Sequence, residues 1–126
     1  MSNKLKIRDL CGRLPYGVCC LIVLDDSVDV VRVSAVATDT GAVVLHGDIY
    51  PAYYDDWLAY LRPMSSLTDE EREELILRQD TMLYSSNTPL GEAMMGLLDY
   101  VYKHHIDYFG LIEQGLALEA PQGMYV

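Results

Sequence analysis

TPLGEAMMGLLDYVYKHH, residues 88–105, holds helical spacing of apolar side chains for longer than any other segment of the chain. Leu90, Ala93, Met94, Leu97, Leu98 and Val101 stand at i, i+3, i+4, i+7, i+8 and i+11, which puts them on one stripe of a helix. Asp99 and Lys103 fall on the opposite side. Thr88 offers a hydroxyl to cap free amides, and Pro89 suits a first helical position, where a missing N–H does no harm. The rest of the chain reads as material packed on this stripe.

On its N-terminal side, Thr68-Asp69-Glu70-Glu71 forms a capping box with acid in the first turn, which suits the positive end of a helix dipole. That spacing predicts a helix to about Leu83, with Leu75, Met82 and either Ile76 or Leu83 inward. Ser85-Ser86-Asn87 is short enough to make the two helices a hairpin. On the C-terminal side the reading is a break near Asp107, one helical turn and a left-handed stop at Gly115. Leu116 to Pro121 alternates like an edge strand or an extended segment laid across the core, and 122–126 reads as a loose tail, with Met124 and Tyr125 the side chains able to dock.

The N-terminal half has a different period. Asp9 to Tyr16 reads as a short helical turn ended by Pro15, lying on the core through Leu10 and Leu14. Gly17 to Leu24 is a continuous run of Val, Ile, Leu and Cys, the pattern of a strand covered on both faces. Val28 to Val36, with Arg32 and Ser34 interleaved, is a second strand, and Ala42 to His46 a third. Turn residues at Asp25-Asp26-Ser27 and Thr38-Asp39-Thr40-Gly41 make them an antiparallel meander. Tyr54, Trp57, Leu58 and Leu61 have helical spacing, and Arg62-Pro63 stops it, so a short helix is expected there. The fold class read from these elements is α+β: a small antiparallel three-stranded meander packed against a helical C-terminal half, one domain over residues 1–126.

Composition narrows the function classes. The chain has 126 residues, half of them hydrophobic, with ten tyrosines, the make-up of a folded domain. Its apolar runs are too short to cross a bilayer, and Met1 to Lys6 is polar and lacks the apolar centre of a secretory signal, so no membrane role and a cytoplasmic location are expected. Cys11, Cys19 and Cys20 are odd in number, with the adjacent pair pointing to opposite strand faces, which fits reduced thiols packed in the core. A net charge of −10 argues against direct nucleic-acid binding, which draws its affinity from clustered Lys and Arg.

Candidate chemistry is sparse. Asp39-Thr40-Gly41 between two strands resembles the active-site loop of retroviral-type aspartic proteases, in which paired aspartates activate water. Asp-x-Gly is also ordinary turn chemistry, and the helical C-terminal half departs from an all-β protease. His104 and His105 diverge by about 100° on a helix and do not make the i, i+4 metal grip, so no metal site is expected and no cofactor motif is found. Arg13 and Arg62 each lie beside a proline, with Tyr16 and Tyr60 close in sequence. If their loops meet, guanidinium and phenol groups form a small anion or peptide site; otherwise each arginine ties down loop carbonyls. Arg13, Tyr16, Arg62, His104 and Tyr108 are therefore the candidate binding residues, with no catalytic residue assigned.

Three stretches, Asp9-Leu-Cys-Gly-Arg-Leu-Pro-Tyr-Gly-Val18, Tyr60-Leu-Arg-Pro-Met-Ser-Ser-Leu-Thr68 and His104 to Pro121, resemble a family of short uncharacterised proteins from Bacteroides-group bacteria and their prophages. The resemblance implies a bacterial or phage-derived cytoplasmic protein and supplies no activity. The function expected is a non-enzymatic interaction or accessory module, with a protein partner or self-association. An acidic mimic of nucleic acid that blocks a basic protein is one alternative, and an aspartic-type hydrolase using Asp39 the other.

Overall fold

A computed structural model of the chain describes residues 2–23, 27–36, 43–45 and 57–125. The order is helix α1 (Ser2–Arg13), a 3₁₀ turn at Leu14–Tyr16, strands β1 (Cys19–Val23), β2 (Val28–Val36), β3 (Val43–Leu45) and β4 (Trp57–Leu61), helices α2 (Asp69–Tyr84) and α3 (Leu90–Lys103), and strand β5 (Ala117–Glu119). The α+β class holds, and the meander is present, with β1, β2 and β3 paired antiparallel in sequence order. The sheet is nevertheless larger and mixed. Its order is β3-β2-β1-β4-β5, with β4 antiparallel to β1 and parallel to β5.

Two elements differ from the sequence reading. The short helix expected up to Leu61 is strand β4 over its described part. Trp57, Ala59 and Leu61 are buried in alternation, and both neighbours bond this segment in the centre of the sheet. A five-residue apolar run satisfies either period, and its tertiary neighbours select the strand. The turn expected from Asp9 is a twelve-residue helix beginning at Ser2. Its inward side carries the buried Asp9, Leu10 and Arg13, so the charges that fill the stripe hide it from an apolar pattern. Asp25, Asp26, Asp39, His46 and Tyr54 lie outside the described residues.

The inner sheet face supplies Cys20, Ile22, Val33, Trp57, Ala59, Leu61 and Ala117 to one apolar cluster with Leu10, Val18 and Leu111. The other face is partly open: Val23, Val28 and Val30 are exposed, so β1 is covered on one face rather than on both. Leu67, Leu75, Leu97, Val101 and Ile106 make a second cluster between the hairpin of α2 and α3 and the body. The two helices join through Arg78, whose Nη1 donates to the Gly96 carbonyl at 2.9 Å. Helix α1 approaches α3 closely at Gly12. A Cβ there would lie 2.4 Å from the Tyr102 ring, so only glycine fits.

Thr68 caps α2 as expected, accepting from the Glu71 amide while Glu71 accepts from the Thr68 amide. Thr88 does not cap α3. The helix starts one residue later than its sequence suggests, Pro89 takes the capping position, and no side chain bonds the free amides. Within α2, Leu75 is buried and Met82 partly so, but neither Ile76 nor Leu83 turns inward; both are exposed. Gly115 is left-handed and ends the turn before β5, which is an edge strand. Among the described residues, no helix is long and apolar enough to cross a membrane.

Candidate functional site

The turn after α3, residues 104–107, is the meeting point of the chain. His104 closes the helix, His105 takes a left-handed conformation with φ of 58°, and Ile106 forms an isolated parallel bridge with Arg62. The Arg62 amide donates to the His105 carbonyl at 2.7 Å, and the Asp107 amide donates to the Arg62 carbonyl at 2.8 Å. Asp107, itself buried, accepts from the amides of Leu111 and Ile112 and so starts the turn that leads to Gly115.

Two arginines hold this turn from different sides. Arg13, fully buried, forms a bidentate pair with Asp9 one helical turn earlier, at 2.7 and 3.0 Å, and donates to the Ile106 carbonyl at 2.6 Å. Its guanidinium also lies 5.2 Å from the Tyr102 ring centre. Burial raises the Asp9 carboxyl above its ordinary range, against the opposing pull of Arg13. Arg62 forms the second bidentate pair, with Glu71 at 2.7 and 2.8 Å, and reaches the carbonyls of His104 and Ser66. This pair lowers Glu71 to about 2, helped by the Thr68 cap.

Arg13, Arg62 and His104 thus meet at one turn without sharing one pocket. Arg13 has no exposed surface to offer a ligand. Tyr16 is hydrogen-bonded to Asp99 on α3. His104 lies tilted against Tyr100, ring centroids 4.4 Å apart, and sits in a shallow depression with Arg78, Asp99 and Lys103, its pKa lowered chiefly by burial against the pull of Glu71. Tyr108 lines a separate groove with Pro63, Met64 and Glu113. A cleft of about 460 Å³ is lined by Arg62, Ser66, Glu119, Pro121 and Tyr125, but the Arg62 guanidinium already faces carboxylate and carbonyls of its own chain.

Three residues central to this arrangement are not among the candidate binding residues read from the sequence. His105 packs its ring flat on Tyr125, centroids 3.6 Å apart. Burial first, and the neighbouring Arg13 second, lower its pKa to about 4. Tyr125 docks from the tail: its hydroxyl accepts from the Cys19 amide at 2.9 Å and donates to the Tyr60 carbonyl at 2.7 Å. It bridges β1 and β4 just beyond their last paired residues, Cys20 and Ala59. Asp9 is the third, and an acid four residues before an arginine on a helix is the one signal that points to it.

Chemically, these groups hold and orient backbone. Burial pushes the Cys20 thiol up to about 12, so it stays protonated and unreactive near neutrality. All three cysteines are free, and among the described residues no group of three His, Cys, Asp or Glu side chains is placed to bind a metal. Of the acidic run in α2, Glu71 and Glu74 are tied to Arg62 and Arg78. Compared with known protein families, with curated proteins and with solved structures, the chain matches none of them.

Proposed function

We propose that the chain is a non-enzymatic protein-interaction or accessory module, working in the cytoplasm of a bacterium or from a prophage, with the free end of the α2–α3 hairpin as its contact surface. The observation that carries this reading is a gradient along one stripe of α3. Val101 and Leu97 are 0% and 3% exposed, whereas Met94 and Leu90 on the same stripe are 44% and 61% exposed. Among the described residues, the apolar face continues at Met94 and Leu90 as exposed side chains. Leu83 and Tyr84, at the neighbouring end of α2, are exposed as well. A cluster of large exposed apolar side chains is the usual mark of a protein contact.

The test is a pull-down from bacterial lysate with the wild-type chain and with a Leu90→Glu/Met94→Glu variant as baits. A bound protein retained by the wild type and lost by the variant is the expected result. Identical retention by both baits rejects the hairpin end as the contact surface, and so does the absence of retention by either bait when the chain is also monomeric in light scattering.

A further inference from the structure

We infer that the occupant of this surface is a second copy of the chain, docked hairpin end against hairpin end; the inference rests on the reading above. In an antiparallel pair of right-handed helices, the side of α2 that carries Ile76 and Leu83 and the side of α3 that carries Leu90 and Met94 look the same way. All four residues are exposed. A two-fold axis through this face would lay two hairpins together as four helices, the arrangement in which apolar stripes of this kind are ordinarily buried.

Charge selects the partner. The chain carries a net charge of −10, yet residues 81–91 contain no charged side chain, and from there to Leu98 only Glu92 is charged. Two copies approaching through their acidic surfaces repel one another, while the hairpin end lets them meet with only a remainder of that cost, from Glu73 and Asp80 beside Ile76. A basic partner would find its complement in the acidic start of α2 and nothing at this neutral end. Area sets the strength. The four stripe residues fall short of the roughly 800 Å² per partner of a standard interface, which places the pair among weak, concentration-dependent contacts. A dissociation constant on the order of micromolar is the expected class.

The experiment is light scattering on the purified chain across a dilution series from about 1 to 500 μM, at low and at 0.5 M salt, with circular dichroism as the folding check. The wild type is expected to pass from monomer to dimer mass within that range, and to dimerise at least several-fold more tightly at high salt, because screening removes the residual like-charge repulsion. Leu90→Glu/Met94→Glu should be a folded monomer throughout. Leu83→Ser/Leu90→Ser, which adds no charge, should weaken the dimer at least tenfold. A wild type that stays monomeric at 500 μM, or a dimer indifferent to both variants, overturns the inference. Monomer together with variant-sensitive capture from lysate refutes only the second copy and leaves the contact surface standing, whereas monomer without capture refutes both.

Discussion

The two ends of α3 have been built by opposite means. At its C-terminal end the helix stops in a turn held by two bidentate arginine pairs, a buried aspartate and a stacked histidine and tyrosine. At its N-terminal end it begins without a side-chain cap and exposes Leu90 and Met94. The stripe is the same on both, so apolar content does not distinguish them. The difference lies in which of the described segments reach the helix: α1, β4, the 108–115 turn and the tail arrive at the C-terminal end, and α2 accompanies the other.

The sharpest break of this contrast is Arg13→Ala. It strands the buried Asp9 carboxylate and leaves the Ile106 carbonyl without its donor, so a loss of about 3–5 kcal/mol is expected in urea unfolding. Replacing the whole pair, Asp9→Leu with Arg13→Met, should cost less than Arg13→Ala alone, because no unpaired charge remains.

Acid attacks the same end in two stages. His105 titrates near 4 when folded and near 6.5 when free, so the unfolded chain takes up the proton first as pH falls. The stability it contributes is complete above about 6.5 and is lost progressively down to 4, by roughly 3 kcal/mol at most. Glu71, lowered to about 2 from 4.5, contributes stability that is present above 4.5 and lost between 4.5 and 2. Urea midpoints measured against pH should show both windows. His105→Asn, which tolerates the left-handed backbone, should remove the upper window and keep the lower.

Gly12→Ala tests the α1 contact. Alanine gains about 1 kcal/mol in helix propensity, but its Cβ collides with the Tyr102 ring, and overpacking of about 1–3 kcal/mol outweighs the gain. A net loss of about 1 kcal/mol in thermal unfolding is expected, whereas a stabilised variant would mean that the ring moves aside freely.

The smallest effects compare the two helix starts. Thr68→Ala removes a working cap and should cost about 1 kcal/mol, while Thr88→Ala, which removes none, should stay within about 0.5 kcal/mol. Chemical denaturation of the two variants, side by side, reads the difference.

Local chemistry was readable wherever neighbouring residues complete one another. The Thr68–Glu71 box, strand 28–36, the left-handed stop at Gly115 and the stripe of α3 all rest on contacts within a few residues, and each is visible in the letters alone. What only the tertiary structure decided depends on partners far along the chain. Trp57 to Leu61 became a strand because β1 and β5 flank it. Asp9 and Arg13 turned inward because the pair neutralises itself and Arg13 Nη2 also donates to the Ile106 carbonyl. The Tyr125 hydroxyl found the gap between Cys19 and Tyr60. Arg13 and Arg62 were singled out by the sequence as residues, but what they hold, a turn some 40 to 90 positions away, is fixed by packing across the fold rather than by any local pattern.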